Sequence, residues 1–459
     1  MEPNQGPLTT RKDDIDNVPA IHQPPIHRLP HEVLAGIFTA LQPRRRSRHT
    51  IPFEVAMSHV CTYWRDITFG TPLLWINIDI YSIRSLECVS SYLTRSQRCP
   101  IDVRFDIWAS DRLLSPEASG ATILPLVDLV IQHSDRWKTL LVFTSHTTTT
   151  ASILLKLADV AAPLLQRIRV MGDDGDNVEP PSGQILVSSP GVLTGGVPML
   201  TTVQMGNMRC LPPLANVTTL HLRASHFSSS ELNTHILSDL TTACPSLTTF
   251  SIHGNFRGDW IGENITMPSL RSLWFQNGDT LAAKFLATVS LPNLESLWLD
   301  CPQYRVIQVI DHSIPRPTFP ALKYLTLQYF DFYASSQFAK AFPTITALHF
   351  SFCNPFHITF LKETLIEDDH SRWPNLDTLV FRTTRETHAI KFSKTLDEIV
   401  SERQRGNNPI RKLLLDKDIL GNLFTADSLR ARTNLDVLRP DNFDDPWWIM
   451  SHMDFGDRL

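Results

Sequence analysis

The chain has 459 residues, 42% of them hydrophobic, and a formal net charge of -5. That apolar content supplies a large packed core, and the length points to more than one domain. A slightly acidic balance does not favour nucleic acid or an anionic membrane surface as a partner.

Residues 1–25 mix charges with prolines and hold no apolar run, so they read as a disordered lead without a secretory signal. No stretch approaches the roughly 20 apolar residues of a membrane helix, and a soluble protein is expected. Seven cysteines, Cys61, Cys88, Cys99, Cys210, Cys244, Cys301 and Cys353, are scattered with no Cys-x-x-Cys pair. They fit reduced thiols in the cytoplasm or nucleus. The 32 prolines outnumber the 18 glycines, which implies many rigid chain breaks.

The first organised segment is IHRLPHEVLAGIFTAL. Val33, Leu34, Ile37, Phe38 and Leu41 fall on one helical face, with Pro30 and Glu32 placed as helix starters. A polar break carrying Arg44, Arg45, Arg46 and Arg48 follows. Next, IPFEVAMSHVCTYWRDI puts Phe53, Val60, Cys61, Trp64 and Ile67 on a second amphipathic face. Gly70, Pro72 and Trp75 stop this helix. Two such helices cannot bury both faces against each other, and they need a partner surface.

From Trp75 onward the chain repeats itself. The phrases CPSLTTFSI, MPSLRSLWF, LPNLESLWL, FPALKYLTL, FPTITALHF and WPNLDTLVF share the pattern Pro-x-Leu-x-x-Leu-x-Leu. Their first paired core positions are Phe250, Leu273, Leu297, Leu325, Leu348 and Leu379, separated by 23, 24, 28, 23 and 31 residues. Four of these five fall within the roughly 20 to 29 residues of a leucine-rich repeat. Weaker copies are Ile76/Ile78/Ile80, Ile101/Val103/Phe105, Leu140/Val142, Ile168/Val170, Val203/Met205, Leu220/Leu222 and Leu413/Leu415. Apolar residues two apart point to the same side of a strand, and stacking such strands gives a parallel sheet with a continuous core. Pro suits the first residue of each strand because it has no N–H for the ladder. Segments 281–290 and 335–342 read as short amphipathic helices that return the chain.

Leu29-Pro30-x-Glu32-Val33-Leu34-x-x-Ile37-Phe38, then Val60-Cys61-x-x-Trp64-Arg65 and Pro72-x-Leu74-Trp75, resemble an F-box, and the whole resembles fungal F-box proteins of basidiomycete type with leucine-rich repeats. The resemblance implies an α/β chain: a helical head over 26–75 and an irregular solenoid over 76–440, with a tail or cap at 441–459. It also implies a substrate receptor that docks on a Skp-type adaptor of a cullin-RING ubiquitin ligase through Leu29, Pro30, Leu34, Ile37, Val60, Cys61 and Trp64. The loop Gln42–Thr50 is longer than the family pattern. A repeat scaffold whose degenerate F-box engages no ligase is the alternative.

No enzyme is expected, and no cofactor. His31-Glu32 opens an HExxH-like string that ends on Ala35, and the acidic cluster at 171–177 lacks the Glu that closes a calcium loop. No Walker loop or G-x-S-x-G elbow is present. The residues between the paired core positions face away from the core: His221, Ser251, Trp274, Trp298, Thr326, His349 and Val380. Trp274 and Trp298 are expected side by side on an open concave face, flanked by Tyr324, Arg223 and Arg382. With His221 and His349 they form the candidate protein-target site, since Trp, Tyr and Arg dominate hot spots. A C-terminal segment such as DDPWWIM folding back over them is the other reading.

Overall fold

A computed structural model describes residues 25–43, 51–81, 85–107, 116–144, 146–172, 191–206, 210–224, 230–254, 256–257, 265–276, 279–300, 319–328, 339–351, 355–367, 373–382 and 389–438. The lead, the arginine run, the acidic loop from Asp173 and the tail from Arg439 lie outside the described residues, as do the first four residues of the expected helix at 335–342. The chain divides into one unit of residues up to Asn77 together with Ser90–Cys99, and a second of Ile78–Val89 with Pro100 onward.

In the first unit, helix α1 (His31–Leu41) is followed by α2 (Phe53–Ser58), α3 (Thr62–Phe69) and a 3-10 turn, Pro72–Trp75. The expected second helix is thus two. Cys61 breaks it: its backbone is extended (φ -159°, ψ 172°) and its Sγ accepts the Trp64 N–H, capping α3. Phe38 packs on Trp64 at 4.8 Å between ring centroids and on Phe53 at 6.5 Å. Leu34, Ile67, Leu74 and Trp75 complete the core. The unit also runs beyond the expected boundary at 75, because Trp75 needs cover. Tyr92 meets it edge-on at 5.0 Å, and the Arg95 guanidinium lies 4.1 Å from the Phe69 ring and 4.5 Å from Trp75. The Tyr92 hydroxyl donates to the buried Glu54 carboxylate, and Gln42 donates to Glu54 and to the Leu74 carbonyl.

The second unit is built from strands. In chain order they are β1 (Asn77–Ile80), β2 (Ile101–Asp106), β3 (Trp137–Thr144), β4 (Arg167–Gly172), β5 (Thr202–Gly206), β6 (Thr219–Arg223), β7 (Ser230–Glu231), β8 (Thr249–His253) and β9 (Phe256–Arg257). Then come β10 (Ile265–Thr266), β11 (Ser272–Gln276), β12 (Val289–Ser290), β13 (Ser296–Asp300), β14 (Tyr324–Gln328), β15 (Ala347–Ser351), β16 (Thr378–Phe381), β17 (Lys412–Leu415) and β18 (Asn434–Val437). Fourteen of them form one sheet in strict chain order, each beside its predecessor; β7 pairs with β9, and β10 with β12, outside it. From β2 to β18 every ladder in the large sheet is parallel.

The register matches the sequence pattern. Phe250, Leu273, Leu297, Leu325, Leu348, Leu379 and Leu413 are successive partners across the sheet. With Leu140, Ile168, Val203 and Leu220 they form one buried row on the first face. Helices cover this face: Phe275 meets Phe285 of helix Asp279–Thr288 at 5.2 Å, and Phe350 meets Phe360 of helix Pro355–Lys362 at 6.1 Å. Phe381 meets Phe392 of helix Ala389–Arg405 at 5.3 Å. Two expected ends move. Ile76 closes the 3-10 turn and stays out of β1, and the helix expected to reach residue 290 stops at Thr288 because Val289–Ser290 pair with Ile265–Thr266.

The prolines do not begin the strands. Pro245, Pro268, Pro292, Pro320, Pro343 and Pro374 each precede a strand by four residues, the strands starting at Thr249, Ser272, Ser296, Tyr324, Ala347 and Thr378. They sit one residue into β-turns. Leu247 N–H donates to Cys244 O at 3.1 Å, Leu270 to Met267 at 3.3 Å, Leu294 to Leu291 at 3.3 Å, Leu322 to Phe319 at 3.2 Å and Leu376 to Trp373 at 3.1 Å. Pro pre-sets φ for that position, which is why it recurs there. The next residue often ties one turn to the previous one: Ser269 donates to Pro245 O and Asn293 to Pro268 O, and Asn216, which follows Ala215 in a turn without the proline, donates to Pro198 O, all within 2.9 Å.

Leu297→Asp puts an unpaired carboxylate in the first-face row and should collapse several repeats in one urea transition. Pro292→Ala, which keeps the backbone hydrogen bond from Leu294 N–H to Leu291 O, should cost no more than about 1 kcal/mol, mostly through the unfolded chain.

Candidate functional site

Helix α1 carries two apolar stripes where the sequence showed one face. Leu34 and Phe38 point inward and are 0% and 2% exposed. Val33, Ile37 and Leu41 lie one turn apart and are 46%, 38% and 63% exposed. The outward stripe is about 12 Å long at 1.5 Å per residue, and nothing in the unit's own packing requires it. Val60, at 55%, adds to the exposed apolar surface of this unit, and so does Ile51.

The expected docking residues therefore separate. Pro30, Ile37 and Val60 are exposed, and Leu29 is half-buried with its carbonyl accepting from the Tyr63 hydroxyl at 2.9 Å. Leu34 is enclosed in the core. Cys61 and Trp64 are partly buried, and they act on shape, the first as a cap and the second as the ring under Phe38. Val33, Leu41 and Ile51 were not on the expected docking list, although the 3.6-residue period had already marked Val33 and Leu41 as apolar face positions.

In the second unit, the expected row is present in register. Arg169, Gln204, His221, Ser251, Trp274, Trp298, Thr326, His349 and Val380 are successive partners on the face opposite the helices. The expected exposure is not. Trp274 is 4% and Trp298 2% exposed, and His221, Ser251, Thr326, His349 and Val380 are buried with them. Each large ring covers the next. His253 meets Trp274 at 4.6 Å, Trp274 stacks on Trp298 at 4.5 Å, and Trp298 meets His349 at 6.2 Å. The tryptophan pair is thus a packed ladder, not an open hot spot. Of the flanking residues, Arg223 is exposed, while Tyr324 and Arg382 are half-buried.

Burial keeps the His221 and His253 imidazoles neutral, and a chain of hydrogen bonds links them. His253 Nδ1 lies 2.6 Å from Gln276 Oε1, so this nitrogen carries the proton and donates. His253 Nε2 then accepts from the Ser251 hydroxyl at 2.9 Å, and Ser251 Oγ accepts from His221 Nδ1 at 2.5 Å. Burial pushes the His221 pKa down to about 3, with His253 and Arg169 adding to the effect. Burial likewise lowers His253 to about 4, opposed by the bond to Gln276 and reinforced by Arg223 and Arg169. Burial raises the Cys244 thiol to about 12, which makes it inert packing. Among the described residues no group of His, Cys, Asp and Glu could hold a metal ion, and no helix is long and apolar enough to cross a membrane.

Two histidines with depressed folded-state values are bare in the fold but protonated in the unfolded chain below about pH 6.5. The unfolded state then binds more protons, so stability falls as pH drops from about 6.5 towards 4, by at most about 1.4 kcal/mol per pH unit for each imidazole. Urea midpoints measured between pH 7 and 4 should fall accordingly. His221→Gln should remove part of that slope.

Residues 26–81 match the F-box-like family profile. No curated protein matches the chain. Among solved structures, a protein from Bacteroides fragilis solved by a structural genomics consortium is 12% identical, with a TM-score of 0.36, over 72% of this chain and 85% of its own. The TLR13–ssRNA13 complex is 15% identical, with a TM-score of 0.28, over 62% of this chain and 40% of its own. Residues 26–81 thus carry an F-box-like domain of short helices, and a long sheet of fourteen repeating strands follows it.

Proposed function

We propose that this protein is the substrate-recognition subunit of a Skp-cullin-F-box type ubiquitin ligase. The observation that carries the reading is the outward stripe Val33, Ile37 and Leu41 on an F-box-like domain. F-box domains generally bind Skp-type adaptors, and an aliphatic stripe left in water suits such a partner. In this reading Pro30, Val33, Ile37, Leu41 and Val60 meet the adaptor, with Leu29 at the rim. Leu34, Cys61 and Trp64 hold the shape beneath them.

The chain does no bond chemistry of its own. It holds a protein target on the second face of the sheet, near a conjugating enzyme carried by the cullin arm, and so raises the local concentration of the target lysine. Its described cysteines Cys61, Cys88, Cys99, Cys210 and Cys244 are free thiols, which suits the cytoplasm or nucleus.

Val33→Glu together with Ile37→Glu should abolish capture of a Skp-type adaptor. Buried interface anchors are worth about 2–4 kcal/mol each, so a loss in affinity of 100-fold or more is expected, with an unchanged thermal melt. If the wild-type chain captures no adaptor, the protein is a repeat scaffold with a degenerate F-box; if the double variant captures it equally well, the stripe is not the docking surface.

A further inference from the structure

The second face changes character along the sheet, and over β2 to β6 its guanidiniums outnumber its carboxylates, with Asp79 of β1 at the edge. In β2 to β6 the central row reads Arg104, Leu141, Arg169, Gln204, His221. One row towards the strand starts stands Arg167, beside Thr202 and Thr219; one row towards the strand ends stands Arg223, in line with Gly206, Met171, Phe143 and Asp106. Arg167 and Arg223 are exposed, and Arg104 and Arg169 are half-buried.

The buried Phe143 ring fixes the two inner guanidiniums. Arg104 lies 5.4 Å and Arg169 5.1 Å from its centroid, so two like charges converge on one ring. Arg104 also donates to Asp106 at 2.9 Å. On this face of these five strands the carboxylates are Asp102 and Asp106, so four guanidiniums outnumber two acids in a chain of net charge -5. Held by the ring, Arg104 and Arg169 lose little side-chain freedom when an anion arrives.

We propose that this face of β2 to β6 docks an extended Asp/Glu-rich segment of the target polypeptide, with Arg104 and Arg169 as fixed anchors and Arg167 and Arg223 as the exposed rim. The inference rests on the reading of the sheet as the target-binding part. The span from β2 to β6 is four strand spacings, about 19 Å at ~4.8 Å each. That is about six residues of extended chain at ~3.3 Å each. Arginines suit carboxylates because the planar fork donates to both oxygens. Nucleic acid fits less well, since Phe143, the aromatic residue on this face of these strands, is buried and offers no platform for a base.

The test uses the full chain and a fluorescein-labelled decaglutamate peptide, read by fluorescence anisotropy at low and moderate salt. Binding is expected, weaker at higher salt, and weakened about tenfold or more by Arg167→Glu with Arg223→Glu. Arg167→Lys with Arg223→Lys should retain most of it, and Lys417→Glu, on a helix elsewhere, should change nothing. Thermal melts confirm that the exposed-site variants fold. Equal peptide affinity in the wild type and the Glu variant overturns the proposal. So does tighter binding of a ten-nucleotide single-stranded RNA than of the peptide. Adaptor capture measured alongside separates the two readings: its loss sinks the ligase assignment alone, whereas charge-independent peptide binding sinks only the acidic-segment assignment.

Discussion

The turn before each strand is the constraint on which the sheet depends. In a parallel stack every strand must be delivered to the same starting point with the same face inward, and a slip of one residue would exchange the two faces completely. Cys244, Leu247, Phe250 and Ile252 show the device: two buried turn residues joined by a 3.1 Å backbone bond, then the first paired core residue three positions later. Met267, Leu270, Leu273 and Phe275 repeat the same spacing, as do Leu291, Leu294, Leu297 and Leu299. The intervals between repeats can then vary from 23 to 31 residues, because phase is reset at each turn and the connecting chain absorbs the difference at small entropic cost.

With phase fixed on the first face, the second face is released to differ from strand to strand. Arginines stand in β2 to β6, imidazoles and indoles in the middle, and a cluster of Ala347, Val380, Leu414 and Leu438 at the far end. Each zone solves its own burial problem. In the middle one, Ser251 bridges His221 and His253 with two hydrogen bonds and Gln276 accepts a third from His253, which satisfies these buried polar groups in a place where a charge would be costly.

Much of this was legible in the sequence, and what was not has a common cause. The paired apolar positions predicted the register from Phe250 to Leu379 because period-two alternation is a local property of the chain. Alternation says which face a residue takes but not whether that face is covered, so Trp274 and Trp298 were assigned correctly to a face and wrongly to solvent. The prolines were read as strand starts from their missing N–H, whereas their fixed φ is what the turn uses. Cys61 was read as a helix-face residue; its short Sγ lets it act as a cap, a role that hydrophobic periodicity does not reveal. In α1, Val33, Leu34, Ile37, Phe38 and Leu41 form a wide arc, and only the packing of Phe38 on Trp64 shows where self-burial stops.

That division between α1 and the tryptophan row bears on what each apolar group is for. Both looked from the sequence like surfaces in need of a partner. The indoles find theirs inside the chain, in each other and in His253 and His349, so their burial needs no external ligand. The stripe at 33, 37 and 41 finds none among the described residues of its unit, although the same helix places Glu32 and Thr39 at other exposed or half-exposed positions and tolerates them. A helix that can carry polar residues at its surface, yet keeps three aliphatic ones in line, leaves apolar area in water at a cost to the isolated domain. An aliphatic stripe of this kind suits a protein that covers it, in keeping with the docking role proposed for the helical head.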